Sequence, residues 1–277
     1  MIAWVIFVFV VCVVTLVSMY MVQSNAENNK SNNKSNTTSN TMSNTMSNTY
    51  TLTRPENIAL VVHSFDGYRR YWPGFVYFFK KYAFNLGIKV YFVTETIDVD
   101  FEEATILKVG KGQWGKRLRL ALERVKEPYI LHMQEDMWFT NLLDNEIVFS
   151  NFKLMQKNNW NHCKLQKDCK HELGIETDYN NPLWYVVSHQ PGLWKKDYLL
   201  NTLDDEMTPF EHETTLNLQI HKYTSLGELV HCSETKAFPY IDVSRRGKLR
   251  EEGRFMLEKE GLPFIRGEDE IYTRKDS

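Results

Sequence analysis

Apolar residues recur along the chain at two spacings, and the alternation between them lays out the expected elements. The run "ENIALVVHSF" is short, apolar and β-branched, which predicts a buried strand ending near His63. After the polar turn at Asp66-Gly67, "YWPGFVYFFKKYAF" predicts a helix with Pro73 near its start. Strands "IKVYFVTE" and "ATILKVG" follow, the second ending at Gly110. In "WGKRLRLALERV", Leu118, Leu122 and Val125 fall at helical spacing with Arg and Lys opposite, and this helix leads into the strand "PYILHMQED". Strands alternating with helices imply an α/β fold with a mainly parallel sheet, whose ligands bind beyond the carboxyl ends of the strands.

The second half is less regular. Residues 144–158 predict a helix, 162–181 a polar loop, and "LWYVVSHQPGLW" a strand followed by a turn. Two helices are expected at about 195–204 and 209–222, then a closing strand and a basic loop in "KAFPYIDVSRRGKLREEG".

Ahead of this domain, the first 22 residues contain no charged side chain and are long enough to cross a hydrocarbon core of roughly 30 Å. With no basic n-region, they predict an uncleaved transmembrane signal anchor. Residues 23–54 are rich in Asn, Ser and Thr and contain little to bury, which predicts a disordered stalk, leaving 55–277 as the folded domain. Lys30 and Lys34 follow the span and favour a cytoplasmic domain by the positive-inside rule. The sequons at Asn29, Asn33 and Asn36 favour a lumenal one.

Composition narrows the function only by exclusion. With 33 basic and 35 acidic residues the net charge is −2, so no global field points to nucleic acid. P-loop, G-x-G-x-x-G, G-x-S-x-G and H-E-x-x-H motifs are absent, which argues against NTPase, Rossmann dehydrogenase, serine hydrolase and zincin chemistry. Cys163, Cys169 and Cys232 are an odd number for a disulfide framework. His162, Cys163, Cys169 and His171 invite a zinc reading, but their spacing fits no common finger, and a loop disulfide or free thiols compete with it.

Candidate chemistry gathers at the expected strand ends. Glu135 and Asp136 close an apolar strand, and two adjacent carboxylates there can hold a hard divalent cation while leaving positions for water and substrate phosphates; a solvated turn is the plainer reading. Trp114 and Arg117 start the helix on the same edge, where a guanidinium and a helix N-terminus could grip phosphate. In "TPFEHE", Thr208, Pro209 and Glu211 read as an N-cap, an N1 proline and a capping-box acid, while Glu213 has no such structural role; either acid could serve as a general base. His189 sits at a strand end, either lining the site or packed in the core.

Five motifs in order resemble a group of nucleotide-sugar-dependent glycosyltransferases with a GT-A-like fold. They are Ser64, Asp66, Tyr68 and Trp72 of an "S-x-D-x-Y-x-x-x-W" segment; "WGKRL" from Trp114; "QEDMWF"; "QPGLWKK" from Gln190; and "PFEHE" ending at Glu213. Phe210 stands where the pattern has tryptophan, and Gln134 stands where a D-x-D motif has its first acid.

The resemblance covers about 57–250. It implies nucleotide-sugar binding by Ser64, Asp66, Tyr68, Trp114, Arg117 and Gln190, with Glu135 and Asp136 holding Mn²⁺ or Mg²⁺ on the diphosphate. It further implies that Glu211 or Glu213 deprotonates a glycan or glycoconjugate acceptor in an inverting displacement, with retention still open, and it favours the lumenal side of the secretory pathway over the cytoplasmic one. Two other function classes stay open at this level. One is a degenerate, glycan-binding domain that stacks sugars on Trp114, Trp138 and Trp194. The other is a glycoside hydrolase using the same carboxylates.

Overall fold

The computed structural model of the chain describes residues 55–166, 187–222, 230–233, 237–245 and 247–263. The expected membrane span and stalk lie outside the described residues, as do Cys169, His171 and the side chain of Cys232. Among the described residues no helix is long and apolar enough to cross a membrane.

The first strand, β1 (Ile58–His63), is buried along its whole length and sits near the middle of the sheet between two parallel neighbours. Such a strand has two covered faces, which is why its sequence is a continuous apolar run rather than an alternating one. A 3₁₀ turn (Asp66–Tyr71) leads into α1 (Trp72–Tyr82), then β2 (Lys89–Thr94) and β3 (Ala104–Lys108), the exposed edge strand. Next come α2 (Trp114–Leu122), β4 (Tyr129–Gln134), β5 (Met137–Phe139) and α3 (Asn145–Lys157). Asp144 caps α3, accepting from the amides of Glu146 and Ile147 at 3.0 and 3.1 Å.

The remaining elements are β6 (His162–Lys164), β7 (Gly192–Lys195), α4 (Lys196–Thr202), α5 (Pro209–Lys222), β8 (Val230–Cys232), β9 (Tyr240–Asp242), β10 (Ser244–Arg245), β11 (Lys248–Leu249) and α6 (Glu251–Lys259). The main sheet has the order β3-β2-β1-β4-β7-β6-β8. Strands β1 to β4 run parallel, β7 runs antiparallel to both β4 and β6, and β8 is parallel to β6. The α/β class and the mainly parallel sheet therefore agree with the hydrophobic pattern.

Alternate residues of each strand feed two cores. Leu60, Val62, Phe92, Leu131 and Met133 pack with Phe75 and Phe79 of α1 and Phe152 of α3. Ala59, Val61, Val93 and Ile130 pack with Leu118 of α2, Leu199 of α4 and Leu216 of α5. A second, two-stranded sheet pairs β5 with β9, placing Met137 opposite Asp242.

Three local expectations are corrected. His162–Lys164 opens the expected polar loop but forms a buried strand, because β7 and β8 pair with it on both sides. The strand expected ahead of the turn at Gln190 lies, but for Val187, outside the described residues, and the residues after the turn, expected to carry on as irregular chain, form a strand at Gly192–Lys195 that pairs with β4 and β6. The basic tail is not simply a loop: β10 and β11 make a hairpin, and α6 follows it, burying Gly253 and Leu257.

Close approach of α1 to β5 depends on Gly74. A Cβ there would lie 2.3 Å from the fully buried Trp138 ring. Gly74→Ala is expected to destabilise the domain by about 1–3 kcal/mol through overpacking, measured by urea unfolding.

Candidate active site

The parallel strands end together, and β4 delivers Glu135 and Asp136 into the turn before β5. Glu135 is buried and Asp136 half-buried. Val243 donates its amide to the Asp136 carbonyl at 2.8 Å, so the β9 segment is tied to this turn. Burial first, then repulsion from Asp136, pushes the Glu135 carboxyl well above the usual carboxylate range, while the Ser64 hydroxyl and Arg117 pull the other way. Burial and the Asp242 carboxylate raise Asp136 to about 7. Asp242 had no signal in the sequence, because its closeness to Asp136 comes from a strand pairing across about a hundred residues.

Around this pair stand several of the expected binding residues. Trp72 Nε1 donates to Ser64 Oγ at 2.7 Å, which fixes the hydroxyl beside Glu135. Burial raises the Tyr68 phenol, with Asp136 and Glu135 adding to the effect; its oxygen lies 3.5 Å from Ser244 Oγ on the hairpin. Tyr71 donates to the Gly247 carbonyl at 2.8 Å, so the hairpin is seated on the 3₁₀ turn next to the acids.

Arg117 lies over the Phe65 ring at 5.1 Å and 3.6 Å from Glu95, and its Nη1 donates to the Gly112 carbonyl. Burial lowers its pKa, against the pull of Glu95, Glu135 and Asp66. Asp66 itself is committed locally. It accepts from the amides of Glu95 and Thr96 at 3.0 Å each and from the Thr96 hydroxyl at 2.5 Å. Burial works to raise its pKa, but these bonds outweigh it and the net shift is downward.

The expected anion site at the start of α2 is corrected by the packing. Gly115 and Lys116 donate their amides to the carbonyls of Met207 and Asp205 at 3.0 and 3.2 Å. A Cβ on Gly115 would lie 2.0 Å from the Asp204 carbonyl oxygen. The helix N-terminus is thus capped by the 204–207 loop instead of facing a ligand.

A second group forms where the 187–190 segment meets α5. His189 donates its amide to Glu213 Oε1 at 2.5 Å. Asn217, one turn further along α5, accepts from the Val187 amide at 3.1 Å and donates to the Val187 carbonyl at 2.8 Å. Burial raises the Glu213 carboxyl, with the His189 amide and Lys164 opposing. Gln190 follows directly, and its Oε1 has no hydrogen-bond partner among the described residues.

Glu211 is placed differently. Exposed, it accepts from the Thr208 amide and hydroxyl at 2.8 Å each, while its own amide donates to Thr208 Oγ1 at 3.2 Å, a capping box. These bonds lower its pKa.

Between the two groups lies a layer of buried rings. Trp114 packs against His63, His189 and His212 at centroid distances of 5.6, 4.4 and 5.7 Å, and His132 packs against His63 and His189. Burial drives all four histidines towards the neutral form, with His132 at about 3 and His212 at about 4. The His63 ring contacts connect the strand end that carries Ser64 with the segment that holds Glu213.

Trp114, Trp138 and Trp194 are all buried, so none of them offers a face for stacking a sugar, as the glycan-binding alternative required. His162 donates through Nδ1 to the Leu193 carbonyl, 3.1 Å away, and Cys163 carries a free, buried thiol raised to about 12 by burial. Among the described residues no group of three or more His, Cys, Asp or Glu side chains is arranged to hold a metal ion.

No protein-family profile and no curated protein matches the chain. Solved structures do. S. aureus TarS 1–349 in complex with UDP-GlcNAc is similar at a TM-score of 0.47 and 13% identity, over 70% of this chain and 60% of that one. The mannosyltransferase PcManGT from Pyrobaculum calidifontis, in complex with GDP-Man and Mn²⁺, is similar at 0.45 and 10%, over 70% and 59%. Glucosyl-3-phosphoglycerate synthase from Mycobacterium tuberculosis, in complex with Mn²⁺ and UDP-glucose, is similar at 0.44 and 12%, over 75% and 80%. The chain spans about 60% of the length of the first two. All three are complexes with nucleotide sugars.

The carboxylate pair makes stability depend on pH. The folded chain keeps the Asp136 proton up to about pH 7, whereas an unfolded chain releases it near 3.8. The native state therefore binds more protons across that interval, and stability falls as pH rises through it. In chelator-treated protein the melting temperature is expected to fall between about pH 4 and 7, and Asp136→Asn is expected to flatten that slope; scanning calorimetry across the range reads both.

Proposed function

We propose that the protein is a glycosyltransferase with a GT-A-like catalytic domain at 55–277, anchored by residues 1–22 through a tether at 23–54, with the domain in the lumen of the secretory pathway. The observation that carries this reading is the Glu135-Asp136 pair at the carboxyl end of β4, backed by Ser64, Tyr68 and Arg117. It is the place where a parallel sheet binds ligands, and the motifs that deliver these residues are those of the resemblance.

The donor set fits a hard divalent cation. Two carboxylates held together against their own repulsion supply oxygen ligands, and a pair of this kind suits Mg²⁺ or Mn²⁺ that keeps waters and substrate phosphates as its other ligands. When bound, such an ion offsets the charge of a leaving nucleoside diphosphate. Arg117 and Tyr68 stand beside the pair to orient phosphate oxygens.

Glu213 rather than Glu211 is the base. Glu211 is occupied in the capping box, whereas Glu213 is partly withdrawn from water and poised by burial to accept a proton. The acceptor hydroxyl oxygen attacks the anomeric carbon as the bond to the diphosphate oxygen breaks. Its proton passes to Glu213 and the nucleoside diphosphate leaves. Attack from the face opposite the leaving group inverts the anomeric centre.

A screen of UDP- and GDP-sugars against glycan acceptors, with and without EDTA, tests the assignment. Transfer that needs the metal is expected, falling at least about 100-fold in Asp136→Asn and in Glu213→Gln with unchanged circular dichroism. Undiminished transfer in both variants contradicts the site, and release of free sugar from a glycan without any nucleotide donor identifies a hydrolase instead.

A further inference from the structure

Glu213 is held by one backbone amide, that of His189, and the His189 side chain is itself the end of a hydrogen-bonded chain. The Thr202 hydroxyl donates to the Leu199 carbonyl at 2.9 Å, so at its other contact, His212 Nε2 at 3.0 Å, it accepts. His212 therefore carries its proton on Nε2 and presents a bare Nδ1. His189 Nε2 lies 2.9 Å from that Nδ1 and must be the donor. One hydroxyl at the end of α4 thus sets the tautomers of two buried rings in sequence, and the second ring belongs to the residue whose amide grips Glu213 at 2.5 Å.

We propose that Thr202, His212 and His189 form a relay of positioning residues that fixes the Glu213 carboxylate for proton acceptance, an inference that rests on the reading of Glu213 as the base. His212 precedes Glu213 on α5, so the relay ties the first turn of that helix to the 187–190 segment. Asn217 makes the same connection one turn later through Val187. The relay works only with His212 neutral, since a proton on its Nδ1 would face the Nε2–H of His189. The surroundings enforce this: Trp114, Trp194, His132, His63 and His162 are the groups around the two rings, every one of them buried, and no carboxylate among the described residues is paired with either ring. The groups that act on Glu213 itself are the His189 amide and Lys164 of β6.

Removing the hydroxyl frees the His212 tautomer and loosens His189, so Glu213 loses a bond that favours its charged form. Three variants of the full chain, solubilised in detergent, test this: Thr202→Val, Thr202→Ser and His212→Phe. In long-range ¹⁵N–¹H spectra of histidine-labelled wild type, His189 and His212 are expected as Nε2–H tautomers. In sugar-transfer assays, T202V and H212F are expected to lose about ten-fold in kcat, with the acid limb of kcat/KM moved to higher pH and the donor KM unchanged. T202S is expected to keep the wild-type limb.

An Nδ1–H tautomer at His212 overturns the relay whatever the enzyme does. Variants that lose melting temperature and turnover with the acid limb unmoved show a merely structural contact and overturn the positioning role. Wild-type protein that transfers no sugar overturns that role together with the function assigned to Glu213, while the tautomer spectra still decide whether the relay exists.

Discussion

Two carboxylates are forced together where β4 leaves the sheet, and much of the surrounding structure serves to hold them there. Glu135 is buried among Ser64, Arg117 and Asp136, and Asp136 also feels Asp242 across from β5. Leaving like charges so close in a poorly solvated pocket costs stability, and the cost is visible in the raised pKa values of both acids. A fold keeps such an arrangement where a cation or a charged substrate relieves it. The local architecture is consistent with that demand: the 3₁₀ turn, the β10–β11 hairpin and the Trp72–Ser64 bond all brace the turn from different sides.

Glu213, the proposed base, is held by a different device. Instead of a strand end, it uses a helix whose first turns are bonded to an irregular segment through His212, Glu213 and Asn217. The capping box of Thr208 and Glu211 starts that helix at a defined residue. The loop ahead of it closes the N-terminus of α2, so α2 and α5 are positioned together. Trp114, His63, His132 and His189 form a buried ring layer, built with neutral imidazoles, between the strand end at His63 and the segment that holds Glu213.

What could be read in advance follows from which interactions are local. Strands β1, β2 and β4 were legible because buried parallel strands are nearly continuous apolar runs, and β4 ended at Gln134 as its polarity implied. Glu211 could be recognised as a cap from Thr208 and Pro209 alone. The strand β6 was not legible: "HCK" has neither length nor β-branched residues, and its burial comes from two partners distant in sequence. Helix α6 was hidden by its charges, which face solvent while Gly253 and Leu257 alone are buried. Asp242 and the histidine relay were beyond reach for the same reason, since both depend on tertiary pairing rather than on spacing. Trp138 and Trp194 illustrate the converse error, in which aromatic residues near a motif suggest a platform although they are core.

The proposed role of the Glu135-Asp136 pair is to receive a nucleoside diphosphate together with a divalent ion. Diffraction from crystals soaked with Mn²⁺ and either UDP or GDP, recorded at the manganese edge, tests it most directly. An anomalous peak is expected within bonding distance of both carboxylates and of the diphosphate oxygens, at the end of β4. A nucleotide bound elsewhere, or manganese bound away from this pair, would contradict it.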